Sequence, residues 1–339
     1  MALPHEKLAA ALEALKQVQV QGRQAIRSND LTRTSRERLR KHGFLQEVMK
    51  GWYIPARPGV GDGESTAWFA AFWGFCRDYL NERFGALWSL SPQQSLILHA
   101  GNLSVPRQLR VRAKGARNQV TSFIHGTSLY EGDNALPGPG DTVDMNGIRV
   151  FSIDSALIAA SPTFFQLRPT EARTIVSMQR DASALLERLL RGGHSVIAGR
   201  LAGAFRNVGR NREADEILAA MCAADYDVRE FDPFKRKFTK VPYRRDLSPY
   251  VQRIRLLWQA MRDEIPHRFP APPPKLKDIE AYMRQVDGIY VTDAYHSLSI
   301  EGYQVSPELI QRVRRGSWNP DGDDVDREHP NALAARGYW

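Results

Sequence analysis

Apolar residues recur with a helical period at the start of the chain. Leu8, Leu12, Leu15 and Val18 fall three or four apart and predict a helix over residues 5–19. After the Asn29-Asp30 turn, residues 32–41 form a short helix rich in Arg and Glu, which Gly43 closes. Two β-rich runs, 44–49 and 52–54, flank Lys50-Gly51 as a tight hairpin, and Pro55 and Pro58 end the unit. Residues 64–84 crowd Trp68, Phe69, Phe72, Trp73, Phe75 and Tyr79 onto one helix, which predicts burial on most of its surface. Short strands are predicted at 109–112, 120–125 and 148–151, with a Pro/Gly turn at 136–140. Helices return over 152–160, 182–191, 196–208 and 213–224. Further on, Ser248-Pro249 caps a helix whose Val251, Ile254, Leu257, Trp258, Met261 and Ile265 share one face. Residues 270–274 are a stiff proline break before a helical stretch over 276–300.

This order predicts an α+β, mainly helical fold in several parts. Helices followed by a basic hairpin within residues 1–60 describe a winged helix-turn-helix. Residues 61–227 read as an α+β domain, 228–246 as a basic linker, and 247–339 as a further set of helices. At 339 residues and 42% hydrophobic, the chain is long enough for a substantial core. No run approaches the roughly 18 apolar residues of a membrane span, and no signal sequence opens the chain, so a cytoplasmic protein without a membrane partner is expected. Cys76 and Cys222, without ligand spacing, are expected as buried free thiols.

Charge narrows the choice of partner. Residues 1–57 hold eleven Lys or Arg against five Asp or Glu, a net of six out of the chain's +9. Clustered cations favour an anionic partner, nucleic acid above all. Arg33, Thr34, Arg36, Arg40 and Lys41 on the short helix, with Lys50 at the hairpin tip, are the candidate DNA-binding residues. Arginine and lysine pair with guanine edges and phosphates, and the hydroxyl bonds backbone phosphate. The alternative is a winged helix that binds only protein, its arginines paired with Glu37.

Lys50-Gly51-Trp52-Tyr53 makes residues 1–60 resemble the head of type IV antitoxins from the abortive-infection E system. The likeness runs on loosely through Leu90-Ser91, residues 95–99 and residues 147–157. It implies a head that represses its own promoter and a second domain with antitoxin function.

Ser297-Leu-Ser-Ile-Glu301-Gly302 fits the inhibitory helix of Fic-family AMP-transferases, and a helix break at Ser306-Pro307 and a new helix at Asn331-Ala-Leu333 extend the resemblance. Ser297 and Glu301 are four apart and share a helical face, and Gly302 suits the helix end. The resemblance implies that Glu301 competes for the arginine that holds the ATP γ-phosphate. Catalysis in that family uses a His-x-Phe-x-Asp/Glu-Gly-Asn-Gly-Arg loop. None of the eight histidines begins one: His267-Arg-Phe269 runs into Pro270-Ala271-Pro272. The chain is therefore expected to be the non-catalytic N-terminal part of a Fic protein. It would need no cofactor itself, ATP and Mg²⁺ belonging to the complete domain, and its partners would be DNA, the missing catalytic core and a protein target.

Overall fold

The computed structural model describes residues 3–20, 22–58, 65–234, 248–262, 264–271, 278–300, 303, 305–319 and 330–338. It is α+β and mostly helical, and it divides into two compact units, Met1–His267 and Arg268–Trp339.

In the first unit, helix α1 (Pro4–Gln19) buries Ala11 and Leu15. A two-residue strand β1 (Ile26–Arg27) follows, then α2 (Arg33–Lys41), β2 (Leu45–Met49) and β3 (Trp52–Pro55). Thr32 caps α2 by accepting the Ser35 N–H at 3.2 Å. Gly51 turns the hairpin at φ +82°, a conformation glycine adopts without steric cost. The strands form an antiparallel sheet in the order β1-β3-β2. Leu15, Ile26, Leu31, Leu39, Leu45 and Tyr53 make a small core between helices and hairpin. Residues 1–60 and 61–227, expected as separate domains, share this unit.

Helix α3 (Thr66–Phe84) fastens them together. Its Trp68, Phe72, Phe75, Cys76 and Tyr79 are buried, and Phe75 and Tyr79 meet Trp52 of the hairpin edge to face, at 6.2 and 5.1 Å between centroids. Each fully buried aromatic contributes about 1.5–3 kcal/mol. The polar side of α3 grips the chain before β1: Asp78 accepts the N–H groups of Gln24 and Ala25 at 2.6 and 3.1 Å, Arg77 donates to Gly22 O at 3.0 Å, and Glu82 pairs with Arg27.

The opposite side of α3 covers a mixed sheet of β4 (Trp88–Leu90), β5 (Gln108–Ala113), β6 (Gln119–Ser122) and β7 (Ser128–Gly132), in the order β4-β5-β7-β6. Only β5 and β7 run parallel. A hairpin of β8 (Thr142–Met145) and β9 (Ile148–Phe151) turns on Asn146 and Gly147, both at positive φ. Helix α4 (Pro92–His99) completes the backbone bonding at the end of β9: Ser95 Oγ accepts from Phe151 N at 3.1 Å, and His99 Nε2 donates to Phe151 O at 2.8 Å.

Helices α5 (Ile153–Ala159), α6 (Thr163–Leu167), α7 (Pro169–Met178), α8 (Ser183–Gly192), α9 (Ser195–Asn207) and α10 (Asn211–Ala223) build a second core around Phe165, Ile175, Leu189, Leu201 and Phe205. Residues 228–234, expected as the start of an exposed linker, instead lie against α9. Phe231 N donates to Gly199 O at 3.3 Å, Arg206 grips Glu230 with two nitrogens, and Phe234 is buried against Phe165. The fit depends on glycine. A Cβ at Gly199 or Gly203 would stand 2.0 Å from the carbonyl oxygen of Arg229 or Phe231.

Helix α11 (Pro249–Arg262) belongs to the first unit, packing on α7, rather than to the final set of helices. Its orientation also differs from expectation. Gln252 and Leu256 are its buried residues, whereas Ile254 and Trp258 of the apolar stripe are 61% and 59% exposed. Gln252 Nε2 donates to Ser177 Oγ of α7 at 3.3 Å, so α11 docks through a mixed face and turns its apolar one outward. Cys76 is buried, which pushes its thiol pKa well up, but Cys222 is exposed, contrary to expectation. A short helix, α12 (Glu264–Arg268), follows.

The second unit holds α13 (Ile279–Ile300), α14 (Pro307–Arg314) and α15 (Pro330–Tyr338) around Ala294, Leu298, Ile310, Trp318, Ala332 and Ala335. Ser306 caps α14 by accepting the Leu309 N–H at 3.2 Å. Among the described residues, no helix is long and apolar enough to cross a membrane.

Gly203→Ala forces the 228–234 segment off α9 and lowers stability by about 1–3 kcal/mol, with faster hydrogen exchange at the Phe231 amide. Gly288→Ala, in open space on α13, is stabilising by up to about 1 kcal/mol. Burial holds the His99 pKa below its ordinary value, so the unfolded chain binds the proton more readily. The stability tied to neutral His99 is complete above about pH 6.5 and is lost as pH falls through that value towards the lower folded one. Thermal melts between pH 7.5 and 5 should show His99→Gln losing less stability than the parent.

Candidate nucleic-acid interface

Helix α2 lies against the β2–β3 hairpin through Arg36 and Arg40 on Tyr53 and through Arg40 to Glu47, and most of the sequence-predicted arginines have partners within the protein. Arg33 Nε donates to Glu37 at 2.8 Å, which raises the guanidinium pKa and lowers that of the carboxyl. Arg36 is half-buried: Nη1 donates to Ser28 O at 2.6 Å and its guanidinium lies 5.8 Å from the centroid of Tyr53. Arg38 Nη1 donates to Lys7 O at 3.1 Å. Arg40 pairs with Glu47 at 3.2 Å and sits 5.9 Å from the same Tyr53 ring. Thr34 Oγ1 shares a hydrogen bond with the capping Thr32 Oγ1 at 3.2 Å.

Lys41 and Lys50 are exposed, and among the described residues neither has a carboxylate partner. Lys41 ends α2 and Lys50 sits at the hairpin tip. Arg33, Arg40 and Thr34 are also exposed. Exposed ion pairs of this kind are screened by solvent and hold their partners weakly, so Arg33 and Arg40 can exchange a carboxylate for a phosphate. Arg36 does not, because its carbonyl and ring contacts hold α2 to the hairpin. Sequence reading missed Tyr53 as the aromatic seat of that contact. The signal was the two-residue period of β3: Trp52 faces α3, so Tyr53 faces the opposite side.

The inhibitory-helix residues divide between described and undescribed positions. Ser297 lies in the last turns of α13, with Oγ 3.3 Å from Tyr338 OH, which in turn donates to Asp293 at 2.5 Å. Glu301 and Gly302 lie outside the described residues.

A cavity of about 510 Å³ opens in the first unit between Gln24, Trp73, Arg77, Met145, Asn146 and Tyr250. Arg77 is the charged group on its wall, and it is held by Asp78 and Gly22 O, so the lining assembles no acid–base pair. Among the described residues, no group of three or more His, Cys, Asp or Glu stands together as a metal site.

No protein-family model and no curated protein matches the chain. Among solved structures, the RV2827C protein from Mycobacterium tuberculosis is similar at a TM-score of 0.40 and 15% identity, over 62% of this chain and 81% of that chain.

Proposed function

We propose that this chain is a DNA-binding, antitoxin-like regulatory module joined to the inhibitory N-terminal part of a Fic AMP-transferase. The observation that carries the DNA half is the pairing of a capped basic helix with a basic hairpin: α2 packs on the hairpin through Arg36 and Arg40 on Tyr53, and Lys41 and Lys50 have no carboxylate partner among the described residues. In this reading residues 1–60 are a winged helix in which α2 enters the major groove and the hairpin rests on phosphate. The head resembles that of the abortive-infection E antitoxins, with one difference. Their helical trio is here two helices and a turn at 28–31.

The Fic half rests on the sequence pattern Ser297 to Gly302. Its supports are the α13 helix that carries Ser297 to its last turns and the capped restart at Ser306. The chemistry would belong to a histidine loop that this chain lacks.

A second reading has its own support. The carboxylates and carbonyls that engage Arg33, Arg36, Arg38 and Arg40, and the outward apolar stripe of α11, suit a protein-recruiting region of a Fic enzyme that does not touch DNA.

Electrophoretic mobility shift with the gene's own upstream DNA, titrated at several salt concentrations, separates the two. The DNA reading requires a linear fall of log affinity with log salt. Lys41→Ala combined with Lys50→Ala should make that slope shallower by about 2, since each phosphate contact contributes about 0.9. Absent or salt-independent binding sinks the DNA reading and leaves the protein-recruiting one. For the Fic half, Glu301→Gly in a gene product that includes the catalytic loop should raise AMP incorporation from labelled ATP, and an unchanged rate refutes inhibition by Glu301.

A further inference from the structure

A second group of cations without carboxylate partners lies away from α2. Arg107, Arg110, Lys114 and Arg117 fall within eleven residues that contain no Asp or Glu. All four are exposed, and among the described residues none is paired with a carboxylate. They follow β5 and the loop after it. Asp133 stands near that loop and is held by the Gly115 N–H at 3.2 Å.

Arg110 projects from β5 on the side away from the core, Arg107 precedes the strand, and Lys114 and Arg117 follow it; on that side β4 is buried under β9, whereas residues of β5, β7 and β6 stay exposed or half-buried. Along β5, Leu109, Val111 and Ala113 turn to the core beneath α3, while Gln108 and Arg110 are exposed and Arg112 is half-buried. In the parallel register with β7, Gln108 stands beside Ser128 and Arg110 beside Tyr130; β6 adds Val120 and Ser122 opposite Tyr130 and Ser128. Arg110 lies 5.4 Å from the Tyr130 ring centroid. Arg112 takes a structural role, donating to Ala135 O at 2.9 Å and lying over Phe151.

An exposed sheet surface with one aromatic ring, hydroxyl and amide side chains, and cations without carboxylate partners on and beside it suits a nucleic acid whose bases are unstacked and available. A duplex presents its charge on a convex surface and its bases edge-on, and this face has no helix to enter a groove. We propose that the open β5-β7-β6 part of the mixed sheet binds single-stranded nucleic acid. Arg107, Arg110, Lys114 and Arg117 hold its phosphates, and a base stacks on Tyr130 beside the Arg110 guanidinium. The site is separate from α2 and does not depend on the winged-helix reading.

Fluorescence anisotropy of the full chain with labelled dT20 and U20 tests this. Arg110→Ala, Lys114→Ala and Arg117→Ala together should weaken binding at least tenfold and make the salt slope shallower by about 2, at about 0.7 per phosphate on a single strand. Tyr130→Leu should weaken it about tenfold without changing the slope, as stacking rather than charge is lost. Tyr130→Phe, which keeps the ring, should bind as the parent does, and this guards against a fold effect of the leucine variant. Lys41→Ala with Lys50→Ala should leave dT20 binding intact. The proposal is overturned if the triple variant binds dT20 and U20 like the parent, or if Tyr130→Leu and Tyr130→Phe are indistinguishable. It is equally overturned if a twenty-base-pair duplex or poly-glutamate displaces dT20 at lower concentration than unlabelled dT20 does.

Discussion

The aromatic packing of α3 is the constraint on which the first unit depends. Trp68, Phe72, Phe75 and Tyr79 supply the apolar floor of the mixed sheet on one side and receive Trp52 of the hairpin on the other. Trp68 Nε1 donates to Thr127 Oγ1 at 3.0 Å, so even the indole nitrogen at the centre of the cluster has a partner. Because one rigid helix holds both the hairpin and the sheet, the surface of α2 and the open face of β5 keep fixed places within the same unit. A loss of packing at Phe75 would reach both.

Charge totals and charge availability part company here. Residues 1–57 hold two-thirds of the chain's net charge, yet Arg33 and Arg40 face Glu37 and Glu47, and Arg36 and Arg38 are tied to backbone oxygens. The β5 segment contributes fewer cations but leaves them unpaired among the described residues. A count along the sequence ranks the first site above the second, whereas folding brings carboxylates to one and not to the other.

The parts of the fold that rest on local chemistry were legible in the sequence. The period of Leu8, Leu12 and Leu15 gave α1, and Lys50-Gly51 between β-rich runs gave the hairpin. Ser306 before Pro307 gave the start of α14. What escaped depended on distant neighbours or on short signals. Strands β4 and β7 are three and five residues long and acquire their identity from pairing with β5. The β8–β9 hairpin did carry a signal, Asn146-Gly147, which suits a two-residue turn. Helix α11 shows the limit of periodicity: the stripe through Ile254 and Trp258 is real, but a stripe does not say which side the rest of the protein occupies. Gln252 was chosen by Ser177, a residue 75 positions away. Cys222 likewise sits on α10 beyond the buried Met221, at the helix end, where one step around the helix changes core to solvent.

The strap along α9 ends on the helix that also receives α11. Phe234 is seated against Phe165, with the Arg173 guanidinium of α7 4.2 Å from its ring centroid, and Gln252, just past Ser248, bonds to Ser177 of the same α7. Helix α7 is thus held on two sides, by the end of the strap and by α11, and a change in its register would have to move both.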